Sequence, residues 1–170
     1  GVFVDDDLFL CHTRLSIQDT SSSADQPMHC VDKRYVIVFN GEVYNHKLIR
    51  KKINHNFIST GDTETVLYAF IKYGEEVLNM LNGIFSFAIY DSIKKKIFIA
   101  RDQFGVKPLY IYRNNNQFLF SSELKTFLNF KIDKEINHDA LLNYITFLYS
   151  PGELTPFKKV TKVLPGTYLK

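Results

Sequence analysis

Gly83-Ile84-Phe85-Ser86-Phe87-Ala88-Ile89-Tyr90-Asp91-Ser92-Ile93-Lys94-Lys95-Lys96-Ile97-Phe98-Ile99-Ala100 is the stretch on which the fold class turns. Its aromatic and β-branched content predicts strands over Ile84 to Tyr90 and Ile97 to Ala100, with the lysine run as a solvated hairpin turn between them. Two further β-type runs follow, Leu109 to Tyr112 and Phe118 to Ser121, separated by the turn material Asn114-Asn115-Asn116. The four together predict an antiparallel meander.

Upstream, Leu8 to Ile17 and Tyr35 to Phe39 read as two early strands, and Ser21 to Pro27 as a loop between them. A short basic helix is expected from His46 to Ile53. A clearer one lies between Asp62 and Gly74, where Val66, Leu67, Phe70 and Ile71 fall on one face. Asp62 suits its start as a cap and Gly74 its end. Helices at Glu123 to Leu128 and Asp139 to Tyr144 complete the pattern. Sheets and helices are segregated rather than alternating, so the fold class is α+β, with helices layered on sheets. Ser150-Pro151-Gly152 is the one strong boundary signal, giving a domain over residues 1–150 and a linker over 151–170.

With 170 residues, the chain suits one domain able to bury a substantial core. No apolar run approaches the roughly 18 residues a membrane span requires, so a soluble protein without a membrane partner is expected. The net charge of +3 comes from dispersed lysines that form no basic stripe interleaved with aromatics, which argues against nucleic acid as a partner. Cys11 and Cys30 lack the spacing of a zinc site or redox motif, so no metal is expected and a reducing cytoplasm is favoured. The opening Gly1-Val2-Phe3-Val4-Asp5 carries no readable signal peptide, and the chain is read as trimmed upstream.

Three segments bear on chemistry: His12-Thr13-Arg14-Leu15-Ser16-Ile17, Phe39-Asn40-Gly41-Glu42-Val43-Tyr44-Asn45 and Gly61-Asp62-Thr63-Glu64. Each has an ordinary explanation. Arg14 can reach the surface along its aliphatic stem, Asp62 can cap a helix, and Asn40-Gly41 after a β run is normally a hairpin turn. Each also fits a need of an α-amino acid amide site. A planar guanidinium takes a carboxylate with two parallel bonds, an acid takes an ammonium, and an asparagine amide beside a glycine N–H makes an oxyanion hole. Arg14, Asp62 and the Asn40-Gly41 pair supply those groups.

These segments resemble the glutaminase domain of asparagine synthases, a class II glutamine amidotransferase with an N-terminal-nucleophile hydrolase fold. The resemblance extends through Gln26-Pro27-Met28, Gly83-Ile84-Phe85-Ser86-Phe87-Ala88, Arg101-Asp102-Gln103-Phe104-Gly105-Val106-Lys107-Pro108-Leu109-Tyr110 and Ser121-Ser122-Glu123-Leu124-Lys125, in family order over essentially the whole chain. It implies a four-layer αββα sandwich of two antiparallel sheets, here without its N-terminal strand. It also implies that Arg14 binds the glutamine carboxylate, that Asp62 and Glu42 hold its amino end, that Leu15 and Ile17 shape the pocket, and that Asn40 and Gly41 form the oxyanion hole. The charged and glycine positions of Arg101 to Tyr110 read as structural.

In the family the nucleophile is a residue-one cysteine whose own α-amine accepts the proton, so here it is expected outside the 170 residues. Cys11, inside the apolar run Leu8-Phe9-Leu10, is expected to be a buried inert thiol, and Cys30 to lie in a loop without a base; neither is a nucleophile candidate. His12 reads as structural. Thr146 to Gly152 and Leu164 to Tyr168 resemble the passage into an ATP-using synthetase domain, so the partners implied are glutamine and that domain. ATP and Mg²⁺ are expected there, with no cofactor in this chain and a homodimer as one expected assembly. The implied activity is hydrolysis of glutamine to glutamate and ammonia for amidation of aspartate. The alternatives are an amidotransferase module with another acceptor, such as a surface-polysaccharide sugar acid, or a non-catalytic glutaminase-like domain.

Overall fold

The computed structural model describes residues 1–170. The chain divides into two compact units, one of residues 1–100 with 169–170 and one of residues 101–168.

The first unit opens with a hairpin of β1 (Val2–Asp5) and β2 (Leu8–Cys11), in which Val2 pairs with Cys11 and Val4 with Phe9. Period-two alternation sends Leu10 inward, to 2% exposure, and leaves Phe9 and Cys11 outside. Cys11, expected to be buried, is therefore exposed. The strand expected to reach Ile17 ends at Cys11, because from Arg14 onward the chain bonds to its own next loop instead of to a neighbouring strand.

A five-stranded sheet forms the body of this unit, in the order β10 (Tyr168–Leu169), β6 (Lys96–Arg101), β5 (Gly83–Asp91), β4 (Tyr35–Val43), β3 (Met28–His29). β4 and β5 are antiparallel over nine residue pairs, from Tyr35 with Asp91 to Val43 with Gly83. After the short helix α1 (His46–Arg50), helix α2 (Asp62–Tyr73) lies on this sheet. Ile37, Phe39, Val43, Val66, Leu67, Ala69, Phe85, Phe87 and Phe98 share one buried cluster. The buried face of α2 differs from the expected one: Ala69 is enclosed, whereas Ile71 is 38% exposed. The whole first turn, Asp62 to Thr65, is buried as well, which amphipathic spacing does not predict. Gly74 ends the helix at φ 60°, as expected.

In the second unit a three-stranded sheet runs β8 (Phe118–Ser121), β7 (Tyr110–Arg113), β9 (Val160–Lys162), antiparallel on both sides of β7. The expected meander is thus two hairpins in two sheets. The break falls at Arg101-Asp102, where the Arg101 guanidinium donates to the carbonyls of Gly105 (2.6 Å), Lys107 (2.8 Å) and Val163, and Asp102 accepts the Phe104 N–H. This self-bonded turn agrees with a structural role for the segment. Helix α3 (His138–Phe147) starts at Asn137, whose side chain accepts the Ala140 N–H at 3.2 Å. Residues 151–170, expected as a linker, contribute β9: Thr155 Oγ1 donates to the Val160 carbonyl at 2.7 Å, and Val160 is buried with Tyr112 and Phe127. No helix is long and apolar enough to cross a membrane.

Candidate functional site

Asn40-Gly41 is not a turn. β4 runs straight through it, with Asn40 opposite Ser86, Gly41 opposite Phe85 and Glu42 opposite Ile84. Gly41 has φ 152°, and a Cβ there would lie 2.1 Å from the Ile84 carbonyl oxygen and 2.6 Å from Phe85 Cα. Only glycine admits that approach. Asn40, Gly41 and Glu42 are half-buried, so the corner keeps access to solvent.

Strand β4 is bracketed just before this corner. The Phe39 N–H donates to Gln26 Oε1 at 2.6 Å, and the Phe39 carbonyl lies 3.1 Å from His12 Nε2. Gln26 also donates through Nε2 to Thr63 Oγ1 at 3.3 Å, joining β4 to the start of α2. His12 keeps a buried Nδ1 without a partner, and burial pushes its pKa down, so it is neutral and structural.

Asp62 does not cap α2. It is the first helical residue, after Gly61, and its Oδ2 accepts the Val43 N–H at 2.7 Å. Burial to 6% exposure pushes its pKa up, and the neighbouring Glu42 charge adds to the rise. A cation beside the two carboxylates would relieve their mutual repulsion. The loop before Asp62 is held by Arg50, which donates through Nη1 to the Ser59 carbonyl (2.8 Å), through Nη2 to the Gly61 carbonyl and through Nε to Thr65 Oγ1 (2.7 Å). Glu64 accepts the N–H groups of Ile58 and Ser59.

Arg14 is drawn into the 19–25 loop. Nη1 donates to the Ser21 carbonyl (2.8 Å) and to Asp25 Oδ1 (3.0 Å), and Nη2 donates to the Asp19 carbonyl. Those bonds engage three of the roughly five N–H donors of a guanidinium. Nε–H and one Nη2–H make no bond within the protein, and a guanidinium edge of that kind can grip a carboxylate with two bonds. The same loop is tied to the Asp62 segment, because Asp19 Oδ2 accepts the Thr60 N–H at 2.6 Å. The segments that carry Arg14, the Asn40-Gly41-Glu42 corner and Asp62, far apart in sequence, are therefore tied together by bonds at and beside them: Asp19 with Arg14 and Thr60, Gln26 with Phe39 and Thr63, and Val43 with Asp62. Leu15 and Ile17 are not enclosed: they are 83% and 64% exposed, since segment 12–16 is irregular and imposes no inward alternation.

Sequence reasoning assigned no role to Asp19, Gln26, Arg50 or Glu64, the polar framework of these segments. Gln26 stood in a noticed motif, but its two partners lie 13 and 37 residues away. Cys30, expected in a loop, is buried at 4% exposure; its thiol donates to Asp32 Oδ1 and accepts the Tyr35 N–H. Burial and the Asp32 bond push it up to about 11, which leaves little thiolate at neutral pH. No cluster of three or more His, Cys, Asp or Glu side chains is arranged to hold a metal ion.

The profile of the glutamine amidotransferase domain matches residues 1–170, and the chain belongs to that family. Among individual relatives, asparagine synthetase (glutamine-hydrolyzing) 1 of Bacillus subtilis is 36% identical over 170 residues, covering 98% of this chain and 27% of its own. A putative asparagine synthetase (glutamine-hydrolyzing) 2 of Methanocaldococcus jannaschii is 37% identical over 171 residues, covering 91% of this chain and 33% of its own. The chain thus spans 27 to 33% of the length of these relatives. Glutamine phosphoribosylpyrophosphate amidotransferase from B. subtilis superimposes with a TM-score of 0.58 over 68% of this chain and 28% of that one, at 22% identity, which shows a shared fold.

Proposed function

We propose that this chain binds glutamine and supports the cleavage of its side-chain amide, releasing ammonia for an asparagine-synthetase-type amidation of aspartate. The observation that supports the reading is that the segments bearing Arg14, Asp62 and the Asn40-Gly41-Glu42 corner are cross-bonded through Asp19, Gln26 and Val43. An α-amino acid presents a carboxylate and an ammonium on one carbon. In this reading the side-on edge of Arg14 takes the carboxylate, and Asp62 with Glu42 takes the ammonium. Asn40 Nδ2 and the Gly41 N–H would face the amide oxygen and stabilise the oxyanion formed when a nucleophile attacks.

The nucleophile in this reading is a cysteine outside the 170 residues. Its attack on the amide forms a thioester and expels ammonia, and water then releases glutamate. ATP and Mg²⁺ belong to a synthetase domain, also outside these residues. The four-layer N-terminal-nucleophile architecture is part of the same proposal, supported by the antiparallel sheets and the fold likeness. The test is Arg14→Lys in the full-length protein. Loss of the planar fork should raise the KM for glutamine roughly tenfold while kcat holds. An unchanged KM removes Arg14 from the site and the reading with it.

A further inference from the structure

Asp19 is bonded to both halves of the amino-acid cradle. It is buried to 7% exposure, although its neighbours from Leu15 to Gln18 and from Thr20 to Ser23 are exposed. Its carbonyl accepts Arg14 Nη2. Its Oδ1 accepts the Ser21 N–H (2.8 Å) and Ser21 Oγ (2.6 Å), which closes the loop that also supplies the Ser21 carbonyl to Arg14. Its Oδ2 accepts the Thr60 N–H (2.6 Å) and Thr60 Oγ1 (3.0 Å), two residues before Asp62. Those donors, Ser21 first among them, hold the carboxyl far below the ordinary range, so it remains ionised and an acceptor at every working pH.

We infer that Asp19 is a positioning residue that sets the spacing between the Arg14 guanidinium and the Asp62 carboxylate, and so selects ligands carrying an α-carboxylate and an α-ammonium together. The inference rests on the glutamine reading above. Two-point recognition needs both protein groups held within about half an ångström of the productive geometry. Arg14 sits in an irregular segment and Asp62 at the start of α2, directly after a loop, so no shared element fixes one against the other. A side chain with two bonds to one loop, two to the other and a main-chain bond to the guanidinium removes that freedom before the ligand arrives. A ligand held at one end only does not depend on the spacing, and this separates a positioning role from mere support of the fold.

The experiment compares the full-length protein with its Asp19→Asn variant. The amide cannot accept from both loops, because its NH₂ must face either the Ser21 or the Thr60 N–H. The KM for L-glutamine and the inhibition constant of L-glutamate should rise together by about tenfold, the effect of one charge-assisted bond, with kcat within about twofold. The inhibition constant of glutaric acid monoamide, which lacks the α-ammonium, should move less than about twofold. Thr60→Val, which keeps the main-chain bond and removes one other, should give the same selective pattern at about threefold, and it carries the test if Asp19→Asn fails to fold. Equal weakening of both ligand types, or an unchanged KM in both variants, overturns the inference. If Arg14→Lys raises KM and the Asp19 and Thr60 variants do not, the role of Asp19 falls and the glutamine reading stands; if Arg14→Lys has no effect, the glutamine reading itself falls.

Discussion

Replacing Gly41 by Ala tests the corner on which the proposed oxyanion site is built. Two costs add there. The backbone at φ 152° lies where L-residues are rarely found, a penalty of about 1–3 kcal/mol. The new Cβ would sit 2.1 Å from the Ile84 carbonyl oxygen and 2.6 Å from Phe85 Cα. Both are backbone atoms of the paired strand β5, so no side chain can swing aside, and relief requires β4 and β5 to part where Phe39, Val43, Phe85 and Phe87 are buried. Overpacking of that kind costs about 1–3 kcal/mol more. A loss of about 4 kcal/mol is a large share of the roughly 5–15 kcal/mol that holds a domain together. With a urea slope of about 2 kcal/mol per molar, the midpoint should fall by about 2 M. Gly74→Ala is the control. Its φ is also positive, at 60°, but nothing lies within 4 Å of the added carbon, so only the conformational part, about 1–3 kcal/mol, should appear. Similar midpoint shifts for the two variants, or a shift below about 0.5 M for Gly41→Ala, would refute the steric argument and with it the close approach of β4 to β5.

Three further outcomes are expected. Asn40→Ala in the full-length protein should lower glutaminase kcat by on the order of 10²–10³ with little change in KM, as for other oxyanion donors; an unaltered turnover number removes Asn40 from that role. Because burial raises the pKa of Asp62, the KM for glutamine should begin to climb on acidification while ordinary carboxylates near 3.8 are still ionised, and Asp62→Asn should abolish that limb of the profile; a profile identical in both proteins contradicts the assignment. Burial depresses the pKa values of His12, His29 and His46 below 6.5, so the unfolded chain takes up protons first as pH falls through that value. Folded stability should therefore drop between about pH 7 and pH 5.5, less steeply in His46→Gln, and a urea midpoint that is flat or rising across that window rules the account out.

Much of the architecture was legible along the chain. The strands Gly83–Asp91 and Lys96–Arg101, the helix ending at Gly74 and the family segments around Arg14, Asn40 and Asp62 follow from local composition, alternation and motif order, which are properties of neighbouring residues. What the sequence could not disclose depends on partners distant in the chain. Asn40-Gly41 carries a strong turn signal, yet it lies within β4 because nine consecutive pairs with β5 outweigh the local preference of two residues. Cys11 is exposed and Cys30 buried because alternation in a hairpin and a cluster beneath α2 decide burial, not the apolar character of the flanking letters. Asp19 has no sequence signature, since a carboxylate that accepts from Ser21 and from Thr60 is defined by a loop closure 41 residues long. Sequence alone determined which groups were present for the proposed amino-acid site. Tertiary structure decided how they are spaced, because hydrogen bonds between segments set distances that no local rule contains.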